Sequence, residues 1–205
     1  MLYNICNLKG GCGVPPKSKF NKENIIEAAF EIAKENGFSA ITARSVAERL
    51  GSSVAPIYVN FETIEKLIEA VVQHVFAISN ELMAKQAGPD IFENIGKASL
   101  EFARKYPVLF RELIMQPNQY MASYETVEKT LLEAMAEDEA MRDWTMDEQK
   151  RLLFKMRVFQ TGLSAMVANG HVPSWLNEKD VEELLMEIGE ELLLVQKIKR
   201  GKKKQ

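Results

Sequence analysis

The segment Thr42 to Phe61, T-A-R-S-V-A-E-R-L-G-S-S-V-A-P-I-Y-V-N-F, leaves few folds open to this chain. Thr42 is placed to cap a helix on which Val46, Ala47 and Leu50 share one apolar face, and Gly51 supplies the left-handed residue that ends it. Ser52 or Ser53 is expected to cap a second helix at once, with Pro56 in its first turn, where backbone N–H groups have no intrahelical partner. So short a connection makes the helices cross steeply and leaves the second projecting from the surface. That is the layout of a helix-turn-helix, whose second helix enters the major groove of DNA.

The flanks extend the same pattern. Ile25, Ile26, Ala29, Phe30, Ile32 and Ala33 form an apolar stripe from about Lys22 to Asn36, stopped by Gly37, which predicts a supporting first helix. Thr63 is positioned to cap a long fourth helix carrying Leu67, Ile68, Val71, Val72, Val75 and Phe76, so a three-helix head runs directly into a helical body. Gly88 and Pro89 break that helix; Asp90 with Glu93 suits a capping box for a fifth, and Pro107 opens a short sixth that ends before Pro117. Ser123 is placed to cap a seventh. Thr145 with Glu148 is a second capping box, opening an eighth helix that runs to about Asn169 and is stopped by Gly170; Asn177 caps a ninth through Val181, Leu184, Leu185, Ile188, Leu192 and Val195. The expected fold is all-α, about nine helices. Its parts are an N-terminal arm at 1–20, a DNA-binding head at 21–66, a ligand-binding and dimerisation body at 67–197 and a solvated basic tail at 198–205.

Charge at first argues against nucleic acid, because the net is −3. The balance is uneven, however: residues 1–66 carry 8 Lys/Arg against 7 Asp/Glu, and the remainder 18 against 22. A DNA reader needs a local basic face rather than a basic average. Lys17, Lys19 and Lys22 precede the first helix within reach of phosphate, whereas K-I-K-R-G-K-K-K-Q at the C-terminus reads as a frayed tail. Two cysteines, Cys6 and Cys12, imply no disulfide framework, and with only His74 and His171 there is no zinc constellation, no triad and no catalytic carboxylate pair. No enzyme activity and no cofactor are expected. No segment approaches the ~18 uncharged apolar residues of a membrane span, so cytoplasm is the expected compartment.

Between about Lys22 and Val72 the chain resembles the tetracycline-repressor (TetR) family of bacterial one-component regulators. The parallels are Ala29, Ala33, Gly37 with Phe38, Thr42, Val46 with Ala47, Gly51, Ser53, Ile57 with Tyr58, and Phe61, all in one register. Three positions depart from the family's usual pattern: Asn60 stands for histidine, Ile64 for the lysine that often opens the fourth helix, and Ser52 for valine. The DNA-contacting set is therefore expected among Thr42, Arg44, Ser52, Ser53, Val54, Ala55, Pro56, Tyr58, Val59, Asn60 and Lys66. Val54, Ala55, Pro56 and Val59 offer no bidentate hydrogen bonds to bases, so reading rests on thymine methyl groups, Ser52, Ser53 and DNA shape, which favours an A/T-containing operator. Arg44, Tyr58, Asn60 and Lys66 suit phosphate. Ile57, Val46, Leu50 and Phe61 read as core of the head.

In the body, F-A-R-K-Y-P-V-L-F-R-E-L-I-M (Phe102 to Met115) is similar to a run found in many family members, and T-G-L (Thr161 to Leu163) is similar to their H-G-L. The resemblance implies a pocket for a largely apolar small-molecule inducer, with Phe102, Tyr106, Phe110, Met115, Phe154, Phe159 and Met166 as candidate lining. It also implies a homodimer through the last two long helices, where the small residues Thr161, Gly162, Ser164 and Ala165 permit close approach, and hence a palindromic double-stranded operator. The function so implied is a ligand-responsive regulator, a repressor released by its inducer. The alternative is a helical interaction protein that keeps the head without reading DNA. K-G-G-C-G (Lys9 to Gly13) superficially looks like a phosphate-binding loop, but Val14 and Pro15 occupy the lysine and Ser/Thr places and no alternating strand pattern follows.

Overall fold

The structure, a computed structural model, describes residues 20–86, 88, 91–120, 124–137, 141 and 143–203. Cys6, Cys12, Lys17, Lys19, the Lys9–Gly13 segment, Pro89, Asp90 and Ser123 lie outside the described residues, as do the last two residues of the tail. Helices alone form the fold of the rest: α1 (Lys22–Asn36), α2 (Ala43–Leu50), α3 (Ala55–Phe61), α4 (Ile64–Ala84), α5 (Ile91–Lys105), α6 (Pro107–Phe110), α7 (Tyr124–Glu137), α8 (Met146–Ala168) and α9 (Glu178–Lys203). A 3-10 turn (Phe38–Ala40) links α1 to α2, and a π-turn (Arg111–Met115) continues α6.

The boundaries follow from local chemistry. Asn21 caps α1 by accepting the Asn24 N–H at 2.9 Å. The Thr42 hydroxyl accepts the Ser45 N–H at 3.0 Å while the Ser45 hydroxyl accepts the Thr42 N–H at 2.9 Å, a reciprocal cap on α2. Thr63 caps α4, Thr145 with Glu148 caps α8, and Asn177 with Asp180 opens α9. Gly51 ends α2 at φ 61, and Gly170 follows α8 at φ 66, conformations that a side chain would resist.

Two expectations are corrected. Neither Ser52 nor Ser53 caps α3: its N-cap is Val54, without a side-chain bond, and the Ser52 hydroxyl donates to the Ser53 carbonyl at 3.0 Å. The C-terminal basic run does not fray at 198, because α9 continues helical to Lys203. Arg200 holds that end in place. Its guanidinium pairs with Glu148, donates to the Asp143 carbonyl at 2.6 Å and lies 5.6 Å from the Trp144 ring centre.

One hydrophobic cluster crosses from head to body. It joins Ile25, Phe30, Ala33, Val46, Ile57 and Phe61 to Leu67, Val71, Val72 and Val75 of α4, then to Phe102, Leu109, Phe110 and Ala168. A second cluster around Met135, Trp144 and Leu152 lies at the far end, and a third joins Leu100, Leu163 and Val181. Arg111 donates to the Ala168 carbonyl at 2.8 Å, satisfying one of the acceptors that the end of α8 leaves open.

Candidate nucleic-acid interface and body cavity

The head presents α3 because its inner face is consumed. Ile57 and Phe61 are fully or nearly buried against α1 and α4, with Val46 and Ala47 of α2 behind them and Leu50 partly buried at the edge. What remains outside is the opposite face: Val54 is 42% exposed, Tyr58 50% and Val59 79%, and Ser53 and Ala55 are exposed with them. Val54, Tyr58 and Val59 together give this face an exposed apolar character. Ser52 and Pro56 are half-buried.

The polar candidates differ in how free they are. Arg44 sits exposed in the first turn of α2 and has no hydrogen bond or ion pair among the described residues. Thr42 is exposed too, but its hydroxyl is engaged in the α2 cap. The Asn60 amide is turned back to donate to the Pro56 carbonyl at 2.7 Å, which engages one of its two amide hydrogens. Lys66 pairs with Glu69 at 2.7 Å, and the hydrogen bond to that carboxylate raises its amine above the ordinary lysine value. Lys22, at the start of α1, holds its ammonium 5.6 Å from the centre of the Phe61 ring. Between α3 and α4, Glu62 adopts φ 44, a strained backbone for a side-chain-bearing residue at the exit of the exposed helix.

The body contains a cavity of about 320 Å³ between α5, the α6 π-turn, α8 and α9, with Leu131 of α7 at one side. Its walls include Ile95, Gly96 and Ser99 from α5, Phe110 and Ile114, Phe159 and Thr161 from α8, and Leu185 and Ile188 from α9. The polar groups among them are Ser99, Gln160, Thr161, Arg157, Glu93 and Glu190. Of the seven aromatic and methionine candidates, Phe110 and Phe159 line this cavity. Phe102 and Tyr106 turn instead toward the head, with ring centres 5.3 Å apart and Tyr106 5.9 Å from Phe30. Met115, Phe154 and Met166 are exposed. The small residues Gly96, Ser99 and Thr161 are the part of the lining that apolar periodicity did not point to. Gly96 admits Leu185, since a Cβ there would overlap that side chain.

No helix among the described residues is long and apolar enough to cross a membrane, and no group of three or more His, Cys, Asp or Glu is gathered there to hold a metal ion.

Two short helices joined by a tight left-handed turn at Gly51, the second exposed on one face and both joined to a larger helical body, are the arrangement of the helix-turn-helix class of DNA-binding proteins. The sequence model of the family described as bacterial regulatory proteins, tetR family, matches residues 25–71. Residues 25–71 thus form a DNA-binding head of the TetR type. It is 25% identical over 87 residues to the tetracycline repressor protein class D of Escherichia coli, covering 42% of this chain and 40% of that one. The chain thus spans about two fifths of the length of that relative. It is 23% identical over 128 residues to an uncharacterised HTH-type transcriptional regulator, YvkB, of Bacillus subtilis strain 168, covering 56% of this chain and 67% of the other. Two solved structures share the fold over most of the chain. A TetR-like transcriptional regulator from Rhodococcus sp. RHA1 superposes with a TM-score of 0.59 at 18% identity, covering 84% of this chain and 93% of its own. The fatty acid degradation regulator FadR of Bacillus halodurans superposes with a TM-score of 0.56 at 16% identity, covering 86% and 97%.

Proposed function

We propose that this chain is a ligand-responsive transcriptional regulator of the cytoplasm, a repressor that binds a palindromic operator as a homodimer and is released by a small, largely apolar inducer. The observation that carries the reading is α3 itself, whose buried face is fully used by the head and whose exposed face is aliphatic and tyrosyl. On this reading Val54, Ala55, Pro56 and Val59 meet base edges and thymine methyl groups beside Ser52 and Ser53. Arg44, Tyr58, Asn60 and Lys66 meet phosphate, and Thr42 holds the start of α2. The head at 21–66 reads DNA, and the body at 67–197 binds ligand and partner.

The dimer is assigned to α8 and α9. Phe154, Val158 and Met166 on α8, and Leu194, Val195 and Ile198 on α9, are all between 41% and 58% exposed, an apolar surface on two neighbouring long helices. A two-fold pair of such helices brings two heads to one face of DNA and matches operator symmetry to protein symmetry. The cavity receives the inducer, with Phe110 and Phe159 among its walls and Ser99, Gln160 and Thr161 as hydrogen-bonding groups.

Selection of random duplexes by the purified full chain, followed by affinity measurements over a range of salt, tests the reading. A selected palindrome with a steep salt slope supports it. Weak, sequence-blind binding refutes it and leaves the helical interaction protein. The inducer is then sought by screening small molecules for release of the selected duplex.

A further inference from the structure

The π-turn Arg111–Met115 stands between the cavity and the head. Phe110 and Ile114, one α-turn apart in sequence, both line the cavity. Glu112 lies between them on the opposite side, and its carboxylate accepts the Phe38 N–H at 2.7 Å, across 74 residues of sequence. Phe38 opens the 3-10 turn that leads into α2, and its ring centre is 6.0 Å from that of Tyr120. The approach is close because the preceding residue is glycine. Gly37 has φ 86, and a Cβ there would fall on the Glu112 carboxylate. Only glycine satisfies both the backbone and the space.

A π-turn carries one residue more than an α-turn and occurs mostly as a single turn within a helix, frequently at functional sites. Here carbonyls at and just after the turn are engaged by one side chain. The Asn118 amide donates to the carbonyls of Glu112 at 3.2 Å, Leu113 at 2.9 Å and Gln116 at 3.1 Å. The turn thus has a bracket outside the helix in addition to its own backbone bonds. An alternative α register lies one residue away, and a one-residue change of register rotates a side chain by roughly 100° about the helix axis. That rotation takes Glu112 off Phe38.

We propose that the 111–115 turn is a two-position element and that Glu112 is the positioning residue through which occupancy of the cavity reaches the DNA-binding head. This rests on the reading of the cavity as the inducer site. An occupant that displaces Phe110 and Ile114 favours the α register, and Glu112 swings away. Phe38 loses its acceptor, and the turn feeding α2 and α3 is released. An effector shifts such an equilibrium only by its preference for one position, and the register change supplies the two positions.

The test uses the full chain labelled with nitrogen-15 and needs no identified ligand, because Ile114→Trp places an indole at the cavity wall as a built-in occupant. The readouts are the shift and hydrogen-exchange rate of the Phe38 amide, with affinity for the selected duplex alongside. Ile114→Trp is expected to speed Phe38 exchange at least about tenfold, in the direction produced by Glu112→Ala. In the Glu112→Ala background it adds less than about twofold to either readout. Glu112→Gln keeps an acceptor oxygen, so its Phe38 amide stays close to the parent and still responds to Ile114→Trp. Additive effects of Ile114→Trp and Glu112→Ala, or a Phe38 amide indifferent to Ile114→Trp in a folded protein, overturn the proposal. The two readings fail differently. An uncoupled Phe38 with small-molecule binding intact removes the latch alone, and a coupled Phe38 with no small molecule found to bind removes the inducer site alone.

Discussion

Arg44→Ala offers the sharpest test of the head, because Arg44, unlike Lys66 and Arg49, is not held in an ion pair. Arg44 is exposed and has no partner to give up among the described residues, whereas Lys66 is already paired with Glu69 and Arg49 with Glu35 at 2.8 Å. Each phosphate neutralised on duplex DNA contributes about 0.9 to the slope of log affinity against log salt, so a dimer that loses two arginines loses about 1.8. Raising salt from about 50 to about 200 mM then narrows the affinity gap between parent and Arg44→Ala by roughly twelvefold. Lys66→Ala is expected to change the slope by less than half as much, since Glu69 already shields that ammonium. Fluorescence anisotropy with a labelled duplex at five or so salt concentrations reads both slopes. An unchanged slope in a folded Arg44→Ala protein refutes the placement of α2 against the backbone. A loss near 0.9 refutes two heads on one duplex.

Three further outcomes are expected. Gly51→Ala meets no atom within 4 Å, so only the φ of 61 resists it, and a loss of about 1 kcal/mol in urea unfolding is expected; a loss beyond ~3 kcal/mol contradicts an open site. Arg200→Ala removes the tie from α9 to Glu148, Asp143 and Trp144, which should cost about 1 to 2 kcal/mol and speed amide exchange over residues 197–203; unchanged protection there shows that the helix end stands unaided. Val158→Glu puts a charge into the exposed apolar face of α8 and is expected to yield monomers in sedimentation, with monomer stability altered by less than about 0.5 kcal/mol; an intact dimer moves the interface elsewhere.

The fold was legible where its causes are local. Thr42, Thr63, Thr145 with Glu148, and Asn177 act on N–H groups two or three residues away, and Gly37, Gly51 and Gly170 stop helices by their own backbone, so a sequence read in windows finds them. The start of α3 was misread because Ser52 and Ser53 have the chemistry of a cap but not the position: α2 ends in a tight left-handed turn, and the helix restarts only after Val54. The cavity was harder. Phe102, Tyr106 and Phe110 fall at spacings that put them on one side of a helical run, yet Pro107 restarts the helix between them. All three meet the cluster shared with the head, but only the third also lines the cavity. Periodicity reports that a residue is buried, not which neighbour buries it. Glu112 with Phe38 and Arg200 with Glu148 are separated by 74 and 52 residues, and nothing in either stretch of sequence announces its partner.

The cluster that runs from Ile25 and Phe30 through Val71 and Val75 to Phe110 and Ala168 has a bearing on modularity. A reading head joined to its body by a polar linker can be exchanged between relatives like a cartridge. Here a cut after residue 66 would slice an apolar interior and expose both faces. A graft of this head onto another body therefore has to bring along the α4 side chains Leu67, Val71, Val72 and Val75, and a matching counterpart for Leu109 and Phe110. If the exposed face of α3 reads DNA as proposed, changes at Val54, Ala55, Tyr58 and Val59, which are not part of that cluster, alter specificity at far lower cost. On that reading, diversification of operators proceeds on the outer surface of α3 while the junction beneath it stays fixed.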